Sequence, residues 1–257
     1  LTSWDAVMGR VRELTAKGHS AGVFVAELSQ TLELENERLI QPIDDVLTLQ
    51  GIKPRDFLAP ISPQFLGSSY CASKKLCGPP FFRSMLVAFY NLDQLKRAGA
   101  DTQRLPGTWT EYEALLEKLK KHSRRPPFLL GGEWYDWIFE ATVIQAGGSL
   151  FNPVDNRINL ASPAAVKALG YWKRLKDKGL LERSSGWKET ITGFTGGRYP
   201  VTYYSSGGME AARSNSKFAW MADSMPKDAS LGGTVGGGNL YFSSILSAPE
   251  KAAAVKV

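Results

Sequence analysis

The chain has 257 residues, of which 43% are hydrophobic and 22% are charged. This length and composition predict one large buried core or two smaller ones and exclude an intrinsically disordered protein. No apolar run reaches the ~18 residues that a membrane-spanning helix needs. The basic residues behind the net charge of +6 are scattered apart from the run over residues 120–125, which we interpret as a solvated helix end, so we expect no nucleic-acid partner.

The first part of the sequence predicts helices around a single buried strand. The apolar run over residues 21–26 predicts that strand, which places Glu27 at its carboxyl end. Pro79 and Pro80 exclude a regular helix from the loop or hairpin over residues 71–80. The expected helices of this part cover residues 4–17, residues 31–36, a segment that ends at Leu49, and a short turn within residues 54–65.

In the rest of the sequence, strands alternate with helices. An aromatic run over residues 86–91 predicts a buried strand, and Ser162 is a plausible N-cap with Pro163 at the first helical position. The alternation indicates an α/β protein, and two lobes joined by crossing strands would suit a chain this long without a visible linker. Further strands are expected at 128–132, 199–204, 218–222 and 234–244, and helices at 92–99, 109–122, 134–146, 161–178, 188–195, 209–215 and from Pro249 onward.

Two interpretations stay open for the cysteines, Cys71 and Cys77. They could close a small disulfide loop in an oxidising compartment, or they could be two free thiols. We expect no metal site. His19 and His122 are distant in sequence, and two thiolates alone do not complete a tetrahedral site.

The sequence shows no convincing catalytic machinery, and we expect no cofactor. Tyr203 stands where the nucleophile elbow requires glycine. The glycine run over residues 232–238 precedes a strand-like segment, whereas a dinucleotide-binding loop precedes a helix. One enzyme alternative remains: a glycoside-handling enzyme with Glu27 as one acid, although no second carboxylate is convincingly placed.

A series of short motifs runs along nearly the whole chain. Each is weak alone, but their order resembles the extracellular solute-binding proteins of ATP-driven importers, in the carbohydrate-type branch. The motifs are found at residues 38–47, 89–93, 107–111, 145–151, 162–169, 178–181, 194–201 and 236–240.

The resemblance implies an α/β fold of the two-lobed periplasmic-binding-protein type (type II, Venus flytrap), with a ligand cleft between the lobes. Lobe I would comprise residues 1–85 and a return segment, residues 226–257, and lobe II would comprise residues 86–225. The first strand of the family would precede Leu1, and its last part would follow Val257. N- and C-terminal parts of the fold are therefore expected to be missing.

The resemblance also implies a function without catalysis. The protein would capture a small polar solute by hinge closure and deliver it to the membrane subunits of an ABC transporter. It would act as a monomer in the periplasm, or outside the cell as a membrane-anchored lipoprotein. Likeness to members that bind glycerol-3-phosphate favours that ligand or a glycerophosphodiester, and a neutral oligosaccharide such as maltose or trehalose is the alternative.

The binding positions of those members can be carried over one residue at a time. Each position has a structural alternative, such as a helix cap for Glu27 or Ser206, a strand bulge for Gly236, or a core position for Trp134. Arg83, which lies beside one of the serines, is an additional candidate contact for an anion. The implied ligand-binding residues are Trp4 (where the family has tyrosine), Glu27, Ser84, Trp134, Ser206 and Gly236.

Overall fold

A computed structural model of the protein describes residues 4–152 and 157–255. The chain divides into two units, which we call unit 1 (Leu1–Arg83 and Val235–Val257) and unit 2 (Ser84–Thr234). The outermost ends of the expected lobe I, residues 1–3 and 256–257, lie outside the described residues. Within the described ranges, every helix is too short or too polar to cross a bilayer.

Helices and short strands alternate through most of the chain, as expected for an α/β protein. The helices are α1 (Trp4–Ala16), α2 (Thr31–Asn36), α3 (Ile43–Leu49), α4 (Pro54–Leu58), α5 (Leu92–Arg97), α6 (Trp109–Lys120), α7 (Tyr135–Gln145), α8 (Pro163–Asp177), α9 (Trp187–Thr195), α10 (Met209–Asn215) and α11 (Ala248–Ala254). The strands are β1 (Val23–Glu27), β2 (Pro80–Asn91), β3 (Phe128–Leu130), β4 (Phe151–Asn152), β5 (Arg157–Ile158), β6 (Leu181–Arg183), β7 (Val201–Ser205), β8 (Trp220–Ser224) and β9 (Val235–Phe242).

Unit 1 is organised around β9, which comes from the return segment of the chain. β1 pairs antiparallel with β9, so that Val23 lies opposite Phe242 and Glu27 lies opposite Gly238. The first residues of β2 lie on the other side of β9. Apolar side chains from the strands and helices form the core of this unit, in which Met8, Leu34, Ile43, Tyr241 and Phe242 are almost completely buried.

The cysteines of unit 1 form a disulfide, so the first of the two interpretations is the one observed. Cys71 and Cys77 have Cα atoms 5.6 Å apart. The bridge closes a small hairpin, in which Tyr70 pairs with Leu76 and the Cys71 N–H donates to the Lys75 carbonyl. The hairpin is attached to α3, because the Asp44 carboxylate accepts the Leu76 N–H at 2.5 Å.

Unit 2 combines parallel and antiparallel strand pairs. β2 pairs antiparallel with β7 and β8, whereas β3 pairs parallel with both β6 and β7. Its main core is rich in aromatic rings: Trp109 stacks on Tyr171 with ring centroids 4.4 Å apart, and Tyr112 lies 5.5 Å from Phe128. Parallel pairing of short strands needs helices as connections, which explains why helices separate β3, β6 and β7 along the chain.

The segment over residues 226–234 belongs to unit 2, although the expected return segment of lobe I began at residue 226. The reason is a set of backbone hydrogen bonds. The N–H groups of Ala229 and Ser230 both donate to the Gln145 carbonyl, and Lys227 exchanges bonds with the start of α6. The first boundary, between Arg83 and Ser84, falls inside β2.

The clearest differences from the predicted strands are the start of β2 and the three short strands β4, β5 and β6, which were not predicted. β2 begins at Pro80 and not at Leu86. The prediction missed its first half because Phe81 and Phe82 are both exposed, so this half does not alternate between buried and exposed residues. β6 was not predicted, since it has only three residues and follows a helix end directly. The predicted cap is confirmed, because Ser162 Oγ accepts the Ala165 N–H at the start of α8.

Replacing both Cys71 and Cys77 by serine is expected to lower the free energy of unfolding of unit 1 by about 2 kcal/mol, because the short loop no longer restricts the unfolded chain. Urea unfolding followed by circular dichroism would measure the change, and wild-type protein treated with a thiol reductant should shift by a similar amount. An unchanged midpoint in both samples would show that the backbone hydrogen bonds alone hold the hairpin.

Candidate functional site

The carboxyl ends of the parallel strands in unit 2 bring two of the predicted residues to one edge of its sheet. β3, β6 and β7 run in the same direction and end at Leu130, Arg183 and Ser205. Open α/β sheets bind ligands at such an edge, where the turns after the strands lie side by side. Trp134 follows β3 and Ser206 follows β7, so this edge carries two of the candidate residues.

Trp134 is the first ring of an aromatic stack at this edge. Its ring centroid lies 3.8 Å from that of Trp187, and Trp187 lies 3.4 Å from Tyr204. Trp137 meets Trp134 edge-on at 5.5 Å. Trp134, Trp137 and Trp187 are half-buried, whereas Tyr204 is buried. Sequence reasoning missed Trp187 and Tyr204, although Gly186-Trp187 directly before a helical pattern was a signal that could have identified the first of them.

The two candidate serines of unit 2, Ser84 and Ser206, lie close together. The Met85 N–H, next to Ser84, donates to Ser206 Oγ at 3.2 Å. The N-cap of the turn after β7 is Ser205, whose Oγ accepts the Gly207 N–H. Because Ser206 accepts with its oxygen, its hydroxyl proton can still be donated to a ligand.

In unit 1, Glu27 lies where the sequence predicts it, at the carboxyl end of β1. Its carboxylate accepts a short hydrogen bond from the Ser29 hydroxyl, and its N–H donates to Gln30 Oε1 at 3.2 Å. Glu27 therefore starts the 3-10 turn over residues 28–30, which matches its structural alternative as a cap. The cap does not compete with ligand binding, since a carboxylate accepts several hydrogen bonds.

The remaining aromatic and glycine candidates of unit 1 are Trp4, which starts α1 and contacts β2, and Gly236 in β9. The half-buried Trp4 stacks on Phe82 with ring centroids 6.2 Å apart. Gly236 is buried in β9. The next glycine, Gly237, has φ of 132°, and a Cβ there would lie 2.3 Å from the Phe82 carbonyl oxygen. Only glycine therefore fits where β9 approaches Phe82.

The structure gives Arg83 a role different from the expected anion contact. Partial burial, which removes water from the guanidinium, lowers its pKa, but the group remains protonated. All five of its N–H donors are used within unit 1, so none is left for a ligand. They bond to Phe65 O (3.3 and 3.0 Å), Phe82 O (3.0 Å), Gly238 O (2.9 Å) and Asn239 Oδ1 (2.7 Å).

A buried polar network continues from Arg83 towards Glu27. Asn239 and Thr31 both donate to the Ser68 carbonyl, at 2.9 and 2.8 Å. Thr31 Oγ1 also lies 2.6 Å from the Tyr241 hydroxyl, which donates to the Glu27 carbonyl at 3.4 Å. This network was not predicted, because its members are spread over more than 200 residues of sequence.

Comparisons with known proteins agree with the expected family and fold. A family model described as bacterial extracellular solute-binding protein matches residues 2–256. The sn-glycerol-3-phosphate-binding periplasmic protein UgpB of Escherichia coli K12 is 25% identical over 225 residues, which cover 82% of this chain and 50% of the relative. The chain thus spans about half the length of the curated relatives it matches.

Solved structures share the fold at low sequence identity. UgpB from Mycobacterium tuberculosis in complex with glycerophosphocholine has a TM-score of 0.86 at 18% identity, over 100% of this chain and 64% of that one. A Thermotoga lettingae protein bound to α-D-tagatose has a TM-score of 0.82 at 19% identity, over 98% and 65%. Maltose-bound MalE3 of T. maritima has a TM-score of 0.80 at 19% identity, over 99% and 66%. These likenesses confirm the predicted α/β periplasmic-binding-protein fold.

Replacing Arg83 by methionine is expected to lower the free energy of unfolding of unit 1 by about 3 kcal/mol, because it leaves several partly buried oxygens without a donor. Denaturant unfolding would measure the loss, with Arg55→Met as the control, since the Arg55 side chain is 89% exposed. Equal stability of the two variants would contradict the anchoring role of Arg83.

Gly237→Ala is expected to destabilise unit 1 by about 2 kcal/mol or more, because the new Cβ meets the Phe82 carbonyl oxygen in a backbone conformation that favours glycine. Gly233→Ala is a matched control from the same glycine-rich run, since a Cβ there would meet nothing within 4 Å. Thermal unfolding of the two variants would test this, and a comparable loss in both would refute the steric explanation.

Proposed function

The chain belongs to the bacterial extracellular solute-binding protein family, and on that premise we propose that it is the solute-binding component of an ABC importer. It captures a small polyol phosphate or sugar by hinge closure. It delivers the solute to the membrane subunits of the transporter. It acts as a monomer in the periplasm, or outside the cell as a membrane-anchored lipoprotein.

One observation above all supports this proposal: an aromatic stack and serine hydroxyls lie together at the carboxyl edge of the unit 2 sheet. A ring face covers the apolar side of a sugar or polyol, and hydroxyl groups exchange hydrogen bonds with its oxygens. In unit 1, Glu27 can accept hydrogen bonds from ligand hydroxyls, with Trp4 and Gly236 nearby on the neighbouring elements. Ser84, Trp134 and Ser206 are the proposed contacts in unit 2.

Two ligand classes are supported by different observations. The names of the curated relatives support glycerol-3-phosphate or a glycerophosphodiester. A neutral sugar is supported by Arg83, because the cation that would have favoured an anion has no donor left. The same relatives are named as binding proteins, which supports a function without turnover.

Isothermal titration calorimetry of the full-length protein with glycerol-3-phosphate, glycerophosphocholine, maltose and trehalose would test the proposal. We expect at least one of these compounds to bind and to be recovered chemically unchanged. Absence of heat with every compound would refute the proposed ligand classes, and conversion of a bound compound would establish an enzyme in place of a binding protein.

Glu27→Ala is expected to weaken binding of the identified solute by about 1.5–3 kcal/mol, because a charged hydrogen-bond acceptor is lost. The same calorimetric titration measures the change. Glu33→Ala is the control, since Glu33 lies in the same unit and pairs with Arg12. If both variants bind like the wild type, Glu27 serves only to cap the turn that follows β1.

A further inference from the structure

Trp187 lies in the middle of the aromatic stack in unit 2. The rings of Trp134 and Tyr204 are both at stacking distance from its indole, at 3.8 and 3.4 Å, with interplanar angles of 32° and 21°. Two rings cannot both cover one face at such short distances, so they lie on opposite faces of Trp187. The stack therefore begins at the buried Tyr204 in β7 and ends at the half-buried Trp134.

The turns that carry Trp134 and Trp187 are fastened to each other. The Glu133 carboxylate accepts a hydrogen bond from the backbone N–H of Trp187 at 3.0 Å. A Cβ on Gly132 would lie 2.3 Å from the Ser184 carbonyl oxygen, and a Cβ on Gly186 would lie 2.9 Å from the Glu133 side chain. This close approach holds the Trp187 backbone at a fixed position relative to the backbone of Trp134.

From these contacts we propose that Trp187 is a positioning residue, which holds Trp134 as a rigid, flat face for the ring of a pyranose sugar. This inference rests on the proposed function and narrows its ligand class. Trp187 itself has no free face, because its neighbours cover both sides, so it acts on the ligand through Trp134. A ring that is already held in place loses little conformational entropy when the ligand binds.

The shape of the stack favours a sugar ring over glycerol-3-phosphate. Tyr204, Trp187 and Trp134 overlap in succession, with tilts of 21° and 32°, so the stack ends in a ring-sized surface at Trp134, which Trp137 meets at 62°. Glycerol-3-phosphate has no ring to place on such a face. Sugar rings pack their C–H surfaces on aromatic faces, and this arrangement provides such a surface.

The experiment compares Trp187→Ala, Trp187→Phe and Trp172→Ala in the full-length protein. Trp172 is a matched control because it is also half-buried in unit 2 but packs on Phe139, outside the stack. Calorimetry with maltose and trehalose is expected to show a loss of about tenfold in affinity for Trp187→Ala, and near wild-type affinity for the other two variants. Far-ultraviolet circular dichroism should show loss of the Trp134–Trp187 exciton couplet in both Trp187 variants.

Titrations of the same variants with glycerol-3-phosphate and glycerophosphocholine separate positioning from general destabilisation. If maltose or trehalose binds and only sugar binding falls, the inference is supported. If all ligands lose affinity equally, or if Trp187→Ala loses the couplet but binds sugars like the wild type, the inference fails while the proposed function stands. Binding of glycerol-3-phosphate or glycerophosphocholine alone would also overturn it. If no compound binds to the wild type, both the inference and the proposed function fail.

Discussion

Unit 1 depends on a half-buried cation, Arg83, whose N–H groups are all bonded to carbonyl and amide oxygens. Arg83 extends from β2 and binds carbonyl groups of β9 and of the turn at Phe65, so one side chain connects three segments. Desolvating a guanidinium is costly unless every N–H finds an acceptor, and here each one does. The planar geometry of arginine makes this possible, since lysine offers fewer donors from a single point.

Unit 2 depends on a different feature: the common direction of its parallel strands, which brings the candidate side chains to one edge of the sheet. Parallel pairing of β3 with β6 and β7 aligns their carboxyl ends. Glycines at positions 132 and 186 then let the following turns approach each other closely, and the tryptophans that follow come into stacking contact. The sheet thus determines where the aromatic rings lie, and the glycines determine how closely the turns that carry them approach each other.

Local patterns predicted the elements well, and long-range contacts explain what they missed. The place of Glu27 and the cap at Ser162 follow from neighbouring residues, so periodicity and capping rules were sufficient for them. The adjacent Ser84 suggested that Arg83 contacts an anionic ligand. Its N–H groups are instead bonded to oxygens at positions 65, 238 and 239, which are distant in sequence. Trp187 reaches Trp134 only after two turns have been brought together, which no local pattern encodes. For the same reason, the segment 226–234 could not be assigned to a unit without its bonds to Gln145.

The discontinuity of unit 1 has a consequence for the order of folding. Unit 2 is one uninterrupted stretch, so all its strands are available once residue 234 has been synthesised. Unit 1 lacks its central strand until the return segment emerges, and its contacts then span most of the chain, as between Ala21 and Ser243, 222 residues apart. Pairing over such separations is slow because loop closure costs entropy before any contact forms. We therefore expect unit 2 to fold first, while β1 and the exposed half of β2 remain unpaired edges that strands of other molecules could pair with.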